Sequence, residues 1–218
     1  MVISLAGCAV WANSRGLIGP DFGRTVAAAR AGLKPLDLHF APEEQWRLVW
    51  RGADVDGDGQ PDFANPTGKA PRTVDAYGSG AFDASRDGGE RRHEGVDYAD
   101  TENQPIKAPI SGYVSKIGYA YPDCVTLRYI EIVNPALHFM ARVFYVDPIV
   151  VEGQAVRLGQ QIGVAHSLQD RYPGITNHVH LELARLGGPN IDATRLIIAK
   201  LEPPKSLARA AADAGARG

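Results

Sequence analysis

The segment NHVHLEL, residues 177–183, decides the fold prediction because its polar and apolar residues alternate. Alternation with a period of two is typical of a β-strand that has one face in the protein core. His178 and His180 therefore point to one face of the strand, while the intervening apolar residues point to the other. We predict a strand over His178–Leu183 that presents two imidazoles side by side.

A second segment, RHEGVDY at residues 92–98, adds another imidazole and a carboxylate. His93 and Asp97 are four positions apart, a spacing that keeps both on one side of a strand or on one turn of a helix. Two imidazoles and one carboxylate are typical of a catalytic zinc site, in which a fourth position stays open for water. The two segments together predict a zinc site, although each alone also fits histidines that are hydrogen-bonded in a core or at the surface.

The pattern of the following residues predicts the fold class. Many short β-prone segments separated by Pro, Gly and Asn-Pro turns run from His93 to about Leu201. Such spacing indicates a mainly β protein, with an antiparallel sandwich or barrel-like sheet and few short helices. A closing helix is predicted over Asp192–Leu201. The predicted strands are Val96–Ala99, Gly112–Ile117, Val125–Val133, Ala141–Tyr145, Gln161–Ala165 and His178–Leu183.

The segments that flank this β region are less regular. An alanine-rich stretch at residues 25–31 predicts a short helix, and residues 46–50 fit either a strand or a short helix. Residues 64–92 are rich in Gly, Pro, Ser and Asp and predict a long loop. We therefore divide the chain into an irregular N-terminal extension, a peptidase-like β domain and a mobile tail, at residues 1–80, 81–202 and 203–218.

The segment DVDGDGQPD, residues 54–62, matches the first half of a calcium loop. Carboxylates alternate along it, a glycine stands at the sixth position, and an oxygen donor stands at the ninth. The loop would span residues 54–65, but its twelfth residue is Asn65 rather than the usual Glu, and Pro61 disfavours a following helix. A solvated Asp/Gly turn is the alternative to a structural calcium ion. The candidate calcium ligands are Asp54, Asp56, Asp58, Gln60 and Asp62.

Composition excludes several functional classes. The chain has 218 residues, of which 22% are charged and 44% hydrophobic, as is usual for a globular protein. A net charge of −2 and a sequence pI near 6.3 give the protein no overall positive field that would favour a nucleic-acid partner. No apolar run approaches the ~20 residues that a transmembrane helix needs.

The two histidine segments resemble motifs of the lysostaphin-type zinc endopeptidases of bacterial cell walls. The shared patterns are His-x-Gly-x-Asp at residues 93–97 and His-x-His at residues 178–180. APISGYV at 108–114 and VRLGQQIG at 156–163 are similar to two further family motifs and occur in the family's order. The resemblance extends from near Gly89 to Leu201 and implies the peptidase fold.

FYVDP at residues 144–148 and YPGITNHVH at residues 172–180 resemble one branch of that family, the leukocyte cell-derived chemotaxin-2-like branch. The vertebrate protein after which this branch is named shares the fold and the zinc site but is regarded as a non-enzymatic signalling protein. The sequence therefore raises the question of whether the chain is an enzyme.

The resemblance implies a role for individual residues. His93, Asp97 and His180 would bind zinc, and His178 would act as the base or stabilise the transition state. Active members carry a second catalytic histidine where this chain has Asp147. An ionised Asp cannot donate a hydrogen bond to a developing oxyanion, so it would instead hold a substrate amide or share a proton with His178. Glu182 fits either an acceptor behind a zinc-bound imidazole or an ordinary surface carboxylate.

The resemblance implies a zinc-dependent endopeptidase that hydrolyses the peptide cross-links of bacterial peptidoglycan. The alternative is a catalytically impaired zinc-binding domain that binds cell wall or has a structural role in a larger envelope or virion assembly. The expected location is the cell envelope, the extracellular space or a phage particle.

The chain has two cysteines, and one of them bears on how the protein could be exported. The sequence LAGC, which ends at Cys8, looks like a lipoprotein processing site, but the residues before it lack a basic region and a full apolar region. A short buried N-terminal segment is therefore the favoured interpretation, with host-cell lysis or incorporation in a phage particle as the routes to the cell wall. Cys8 and Cys124 could also pair in an oxidising compartment.

Overall fold

The computed structural model describes residues 45–207, and the β structure in that part of the chain is antiparallel throughout. The predicted fold class is thus confirmed. Two short 3₁₀ turns lie at Asp87–Gly89 and Ala193–Arg195. The strands are β1 (Arg47–Gly52), β2 (Val74–Asp75), β3 (Gly78–Ser79), β4 (Ser85–Arg86), β5 (Arg91–Arg92), β6 (Val96–Ala99), β7 (Pro105–Lys107), β8 (Gly112–Tyr121), β9 (Cys124–Asn134), β10 (Phe139–Phe144), β11 (Val146–Pro148), β12 (Ala155–Val156), β13 (Gln161–Ala165), β14 (His178–Arg185), β15 (Asn190–Ile191) and β16 (Ile197–Glu202).

The largest sheet contains seven strands and carries the histidine segments. Its order is β12-β8-β9-β10-β14-β15, and β6 pairs with the free edge of β14 beside β15. A second sheet has the order β11-β13-β7. Side chains from both sheets form one buried cluster, in which Ile130, Val143 and Leu181 of the large sheet join Ile106 and Ile162 of the small one. Apolar burial of this kind is the main stabilising contribution to the fold.

All six predicted strands are present. The predicted bounds of β6 and β13 match the structure, whereas β8, β9 and β14 extend further than predicted. Residues 46–50, for which strand and helix were both open, belong largely to strand β1. Their conformation is decided by antiparallel pairing with β16, which places Leu48 opposite Leu201.

The helix predicted over Asp192–Leu201 is wrong. The Asp192 side chain accepts a hydrogen bond from Thr194 N and starts only one 3₁₀ turn, Ala193–Arg195. The chain then enters β16, because residues 197–202 find a partner strand in β1. Pairing with a strand some 150 positions earlier is not visible in the local sequence, and it overrides the local helix signal.

The segment predicted as a long loop, residues 64–92, contains four two-residue strands, β2 to β5. Its backbone is tied to the large sheet, since Arg72 N donates to Asp97 O at 2.8 Å and Asp97 N donates to Gly80 O at 2.9 Å. This segment therefore forms an ordered border along β6 and is not a detached loop.

Some predictions fall outside the described residues. These are the helix at residues 25–31, the processing site at Cys8 and the tail beyond Leu207. Cys124 is a free cysteine whose Sγ lies 3.4 Å from Thr126 Oγ1. Within residues 45–207, no helix is long and apolar enough to span a membrane.

Candidate metal centre

Strands β6 and β14 bring the two histidine segments together. Their antiparallel register places His180 directly opposite Asp97. Gly95 makes this close approach possible, because a Cβ atom there would lie 2.4 Å from the Leu181 carbonyl oxygen and 2.7 Å from His180 Cε1. The glycine of the His-x-Gly-x-Asp pattern is therefore required by the space next to an imidazole.

Three potential ligand atoms converge at this point of the sheet. His93 Nε2 lies 2.9 Å from His180 Nδ1 and 3.0 Å from Asp97 Oδ1. His180 Nδ1 lies 2.9 Å from the same carboxylate oxygen. His93 and Asp97 are buried, and His180 is partly buried. The structure thus brings together the three residues that the family resemblance assigned to zinc.

The outer nitrogens of the two imidazoles face acceptors. His93 Nδ1 donates to the Ala81 carbonyl oxygen at 2.7 Å, and His180 Nε2 lies 3.4 Å from Glu182 Oε1. Such acceptors keep the proton on the outer nitrogen and leave a lone pair on the inner one. Glu182 is buried, which favours the predicted acceptor role over a surface carboxylate.

The donor set fits a divalent metal ion. Two imidazole lone pairs and one carboxylate oxygen repel one another at separations near 3 Å unless a cation lies between them. Two nitrogens and one oxygen are also the ligand types that zinc prefers in an open, four-coordinate site. The site therefore has both the geometry and the chemistry of a metal centre.

The pKa values of the cluster reflect its affinity for positive charge. Burial raises the pKa of Asp97, but hydrogen bonds from His180 and His93 outweigh this effect and hold the pKa well below its usual range. Burial lowers the pKa of His180, whereas its contacts with Asp97 and Glu182 raise it to about 9. Protons on the imidazole nitrogens thus supply the positive charge that a metal ion bound to the same atoms would supply.

His178 lies beside the cluster on the same strand. Its Nδ1 donates to the Thr176 carbonyl oxygen at 2.7 Å, and its Nε2 lies 3.6 Å from Asp97 Oδ2. Burial is the largest contribution to its pKa, which is lowered from the ordinary value. A neutral imidazole that donates its Nδ1 proton to the Thr176 carbonyl oxygen has a lone pair on Nε2. This lone pair can accept a proton in the pocket.

Asp147 does not join these residues. It lies on β11, where its carboxylate oxygens are both 3.0 Å from His166 Nδ1, and it is not part of the pocket wall. The proton sharing with His178 that the sequence suggested is not present. Its neighbour Tyr145 instead lies in the pocket, with its ring edge-on to His178 at 5.6 Å between centroids.

Tyr145 adopts an unusual backbone conformation. Its φ is +67°, in the left-handed region that bulky residues rarely occupy. Two backbone hydrogen bonds hold it there, from Tyr145 N to Arg128 O at 2.7 Å and from His166 N to Tyr145 O at 2.9 Å. Its hydroxyl lies 2.7 Å from that of Tyr121. Strained backbone of this kind is often found at functional sites.

A pocket of about 480 Å³ lies over the cluster, and tyrosines form much of its wall. Tyr77 and Tyr172 meet edge to face with ring centroids 5.6 Å apart, and the Tyr77 hydroxyl donates to Pro173 O at 3.0 Å. Tyr172 stands in a family motif, but neither tyrosine was predicted from the sequence to line a pocket. They come from separate segments that only the fold brings together, so no spacing pattern connects them.

The predicted calcium ligands are only partly grouped. Carboxylate oxygens of Asp54, Asp56 and Asp62 lie within 4.8 Å of one another, whereas Asp58 Oδ1 accepts a hydrogen bond from Gln60 N at 2.7 Å. Backbone N–H groups already donate to these carboxylates, for example from Gly57 to Asp54 at 2.7 Å. Such contacts are also typical of a solvated Asp/Gly turn.

Comparison with known proteins identifies the family of this chain. Residues 91–193 match the model of peptidase family M23. Leukocyte cell-derived chemotaxin-2 of Mus musculus is 33% identical over 116 residues, which cover 51% of this chain and 71% of that protein. Myeloid protein 1 of Gallus gallus is 32% identical over 138 residues, which cover 60% of this chain and 40% of that protein. The chain belongs to peptidase family M23, and the predicted relationship to the chemotaxin-2 branch is confirmed.

Solved structures of peptidases align with this chain at lower identity. Lysostaphin from Staphylococcus simulans aligns with a TM-score of 0.40 and 21% identity, over 47% of this chain and 42% of that chain. A zinc-containing peptidase from Vibrio cholerae aligns with a TM-score of 0.45 and 22% identity, over 66% of this chain and 41% of that chain.

Proposed function

We propose that this protein is a zinc-dependent endopeptidase that hydrolyses the peptide cross-links of bacterial peptidoglycan. One observation carries the proposal: in a pocket, His178 presents the Nε2 lone pair of its imidazole beside three converging ligand atoms. A purely structural zinc site has no need of an additional imidazole that does not bind the metal. Membership of a peptidase family supports the same interpretation.

The roles of the residues follow from their hydrogen bonds. His93, Asp97 and His180 would hold zinc, which when bound polarises a carbonyl group and lowers the pKa of water. His178, kept neutral by burial, would accept a proton at Nε2 and pass it to the leaving amine. Thr176 O and Ala81 O would keep the imidazole rings of His178 and His93 in the required tautomers.

The Tyr145 hydroxyl is the best candidate for the hydrogen-bond donor that Asp147 cannot supply. Burial raises the pKa of Tyr145, so the hydroxyl stays protonated at neutral pH. The paired hydroxyls of Tyr121 and Tyr145 have two hydrogens and use one between themselves. When Tyr121 is the donor in this pair, the hydrogen of Tyr145 is available to a substrate oxygen, as an oxyanion needs.

The proposed substrate is a peptide of the bacterial cell wall. Family membership and the resemblance to lysostaphin-type motifs support a peptidoglycan peptide as the substrate. An extracellular, envelope-associated or phage-particle location would give access to it. We also propose the division at residues 1–80, 81–202 and 203–218, and a structural calcium ion at residues 54–62, where three carboxylates come together.

A catalytically impaired, zinc-binding domain is the second candidate. It is favoured by the engagement of Asp147 with His166, which leaves the usual position of a catalytic histidine without an imidazole in the pocket. In that case the protein would bind zinc and recognise cell-wall peptide, or serve as a structural part of a larger assembly, without hydrolysis.

Digestion of purified peptidoglycan by the zinc-loaded protein separates the two candidates. The enzyme releases new amino termini, and His178→Ala removes this activity while zinc content is unchanged. His138→Asn is the matched control, because His138 is exposed and has a positive φ that Asn tolerates. Stoichiometric zinc without any release of amino termini would refute hydrolysis and support the binding domain.

A further inference from the structure

Arg72 is a buried cation next to the candidate metal centre. It lies outside residues 91–193, the part of the chain that matches the family model. Its side chain is only 3% exposed. Both Nε and Nη2 lie 2.9 Å from Oδ2 of Asp97, so the guanidinium grips a single carboxylate oxygen.

The position of Arg72 is itself well determined. Its Nη1 donates to Gly78 O at 2.8 Å and lies 3.0 Å from Asp75 Oδ1, and its backbone N donates to Asp97 O. A Cβ atom at Gly80 would lie 2.5 Å from Arg72 Cγ and 3.0 Å from Asp97 Cβ, so glycine leaves room for this contact. Contacts within residues 72–80 therefore hold the Arg72 side chain in a fixed position.

The two oxygens of Asp97 have different partners. Oδ1 lies 3.0 Å from His93 Nε2 and 2.9 Å from His180 Nδ1, while Oδ2 is held by Arg72. A carboxylate that is free to rotate can bind a metal ion through both oxygens. Here the lone pairs of Oδ2 are engaged in charge-assisted hydrogen bonds, which are among the stronger ones in proteins.

We propose that Arg72 is a positioning residue that makes Asp97 a ligand through Oδ1 alone. Limiting Asp97 to one oxygen would keep a bound metal ion four-coordinate, with the fourth position free for substrate or water. The charge of Arg72 would oppose a nearby dication, but the Asp75 carboxylate at 3.0 Å offsets that charge. This inference rests on the proposed metal binding and adds the residue that sets the coordination number.

Arg86 provides a matched control for charge. Its Nη2 lies 3.6 Å from the same Oδ2, beyond hydrogen-bond distance, and instead donates to Ser79 O at 2.7 Å. Arg86→Gln removes a positive charge near Asp97 but leaves the hydrogen bonds from Arg72 in place. A comparison of the two arginines therefore separates electrostatic effects from positioning.

The test uses cobalt(II), whose visible absorption is strong when four-coordinate and weaker at higher coordination. The 218-residue protein and its Arg72→Gln, Arg72→Lys and Arg86→Gln variants are stripped of metal and titrated with cobalt, and affinity is measured by competition with a chelator. We expect about 10–100-fold weaker binding and weaker absorption for Arg72→Gln. Arg86→Gln should keep the wild-type spectrum, and its affinity should change by less than about threefold.

Arg72→Lys keeps the positive charge but cannot make both hydrogen bonds to Asp97 Oδ2, so its absorption spectrum should resemble that of Arg72→Gln. It also serves as the test if Arg72→Gln fails to fold, as judged by circular dichroism without metal. An Arg72 variant that folds and keeps wild-type affinity and absorption would overturn the inference. Wild-type protein that binds neither cobalt nor zinc would instead refute the proposed function.

Discussion

Asp100 offers a quantitative test of how the site is supported. It follows β6, and its Oδ1 accepts a hydrogen bond from Asn177 Nδ2. Asn177 in turn accepts from Leu168 N at 2.8 Å and so anchors the loop that leads into β14 and His178. The other Asp100 oxygen, Oδ2, is buried without a hydrogen-bond partner among the described residues.

Burial raises the pKa of Asp100 from 3.8 to about 6, although the Asn177 hydrogen bond and the charge of Lys69 oppose the shift. Between these two values the folded protein binds one proton more than the unfolded chain. The free energy of unfolding therefore falls as the pH rises from about 4 to 6, and it stays lower above that range. A difference between 3.8 and about 6 corresponds to about 3 kcal/mol.

We expect Asp100→Asn to remove this loss of stability. The amide keeps an oxygen for Asn177 and cannot ionise, so the variant should lack the decrease of about 3 kcal/mol between pH 4 and pH 7. The measurement is urea unfolding of the zinc-loaded wild type and variant at several pH values. Other titrating groups are common to both proteins and cancel in the difference.

We subtract the free energy of unfolding of the variant from that of the wild type. This difference should become more negative as the pH rises to 6, because only the wild type loses stability. A difference that is constant with pH would refute the reasoning, because it would mean that Asp100 titrates near 3.8 when folded. A difference of the opposite sign would mean that the folded protein stabilises the charged form of the Asp100 carboxylate.

Three further predictions concern the site and the calcium loop. Tyr145→Phe should lower the rate of cross-link cleavage about 10²–10³-fold with zinc content unchanged. The control variant Tyr113→Phe, on an exposed part of β8, should have no effect on this rate. Equal rates for the two variants would exclude Tyr145 as the hydrogen-bond donor. Gly95→Ala should abolish stoichiometric zinc binding, measured by metal analysis, because its Cβ collides with His180 and the Leu181 carbonyl; retained zinc would contradict the close approach of β6. Calcium at 100 times its dissociation constant should stabilise the protein by about 2.7 kcal/mol in thermal melts, and Asp56→Asn should reduce this gain; a melting temperature that does not respond to calcium would leave the solvated turn as the correct interpretation.

The sequence by itself determined the β architecture and the central cluster. Alternation along residues 177–183 predicted β14 and the shared face of its histidines, because side-chain direction in a strand depends only on position parity. The even spacing of His93 and Asp97 likewise predicted that both reach one side of the chain. Family motifs then assigned the same three ligands that the register of β6 and β14 brings together.

Only the tertiary structure decided what surrounds this cluster. The contact of Arg72 with Asp97, the choice of Tyr145 over Asp147 as a pocket residue, and the pairing of β16 with β1 join segments far apart in the chain. No local periodicity encodes such contacts, because they depend on how distant strands are aligned and which surfaces they bury. Local patterns thus predict which faces carry functional groups, while long-range packing selects the partners that orient them.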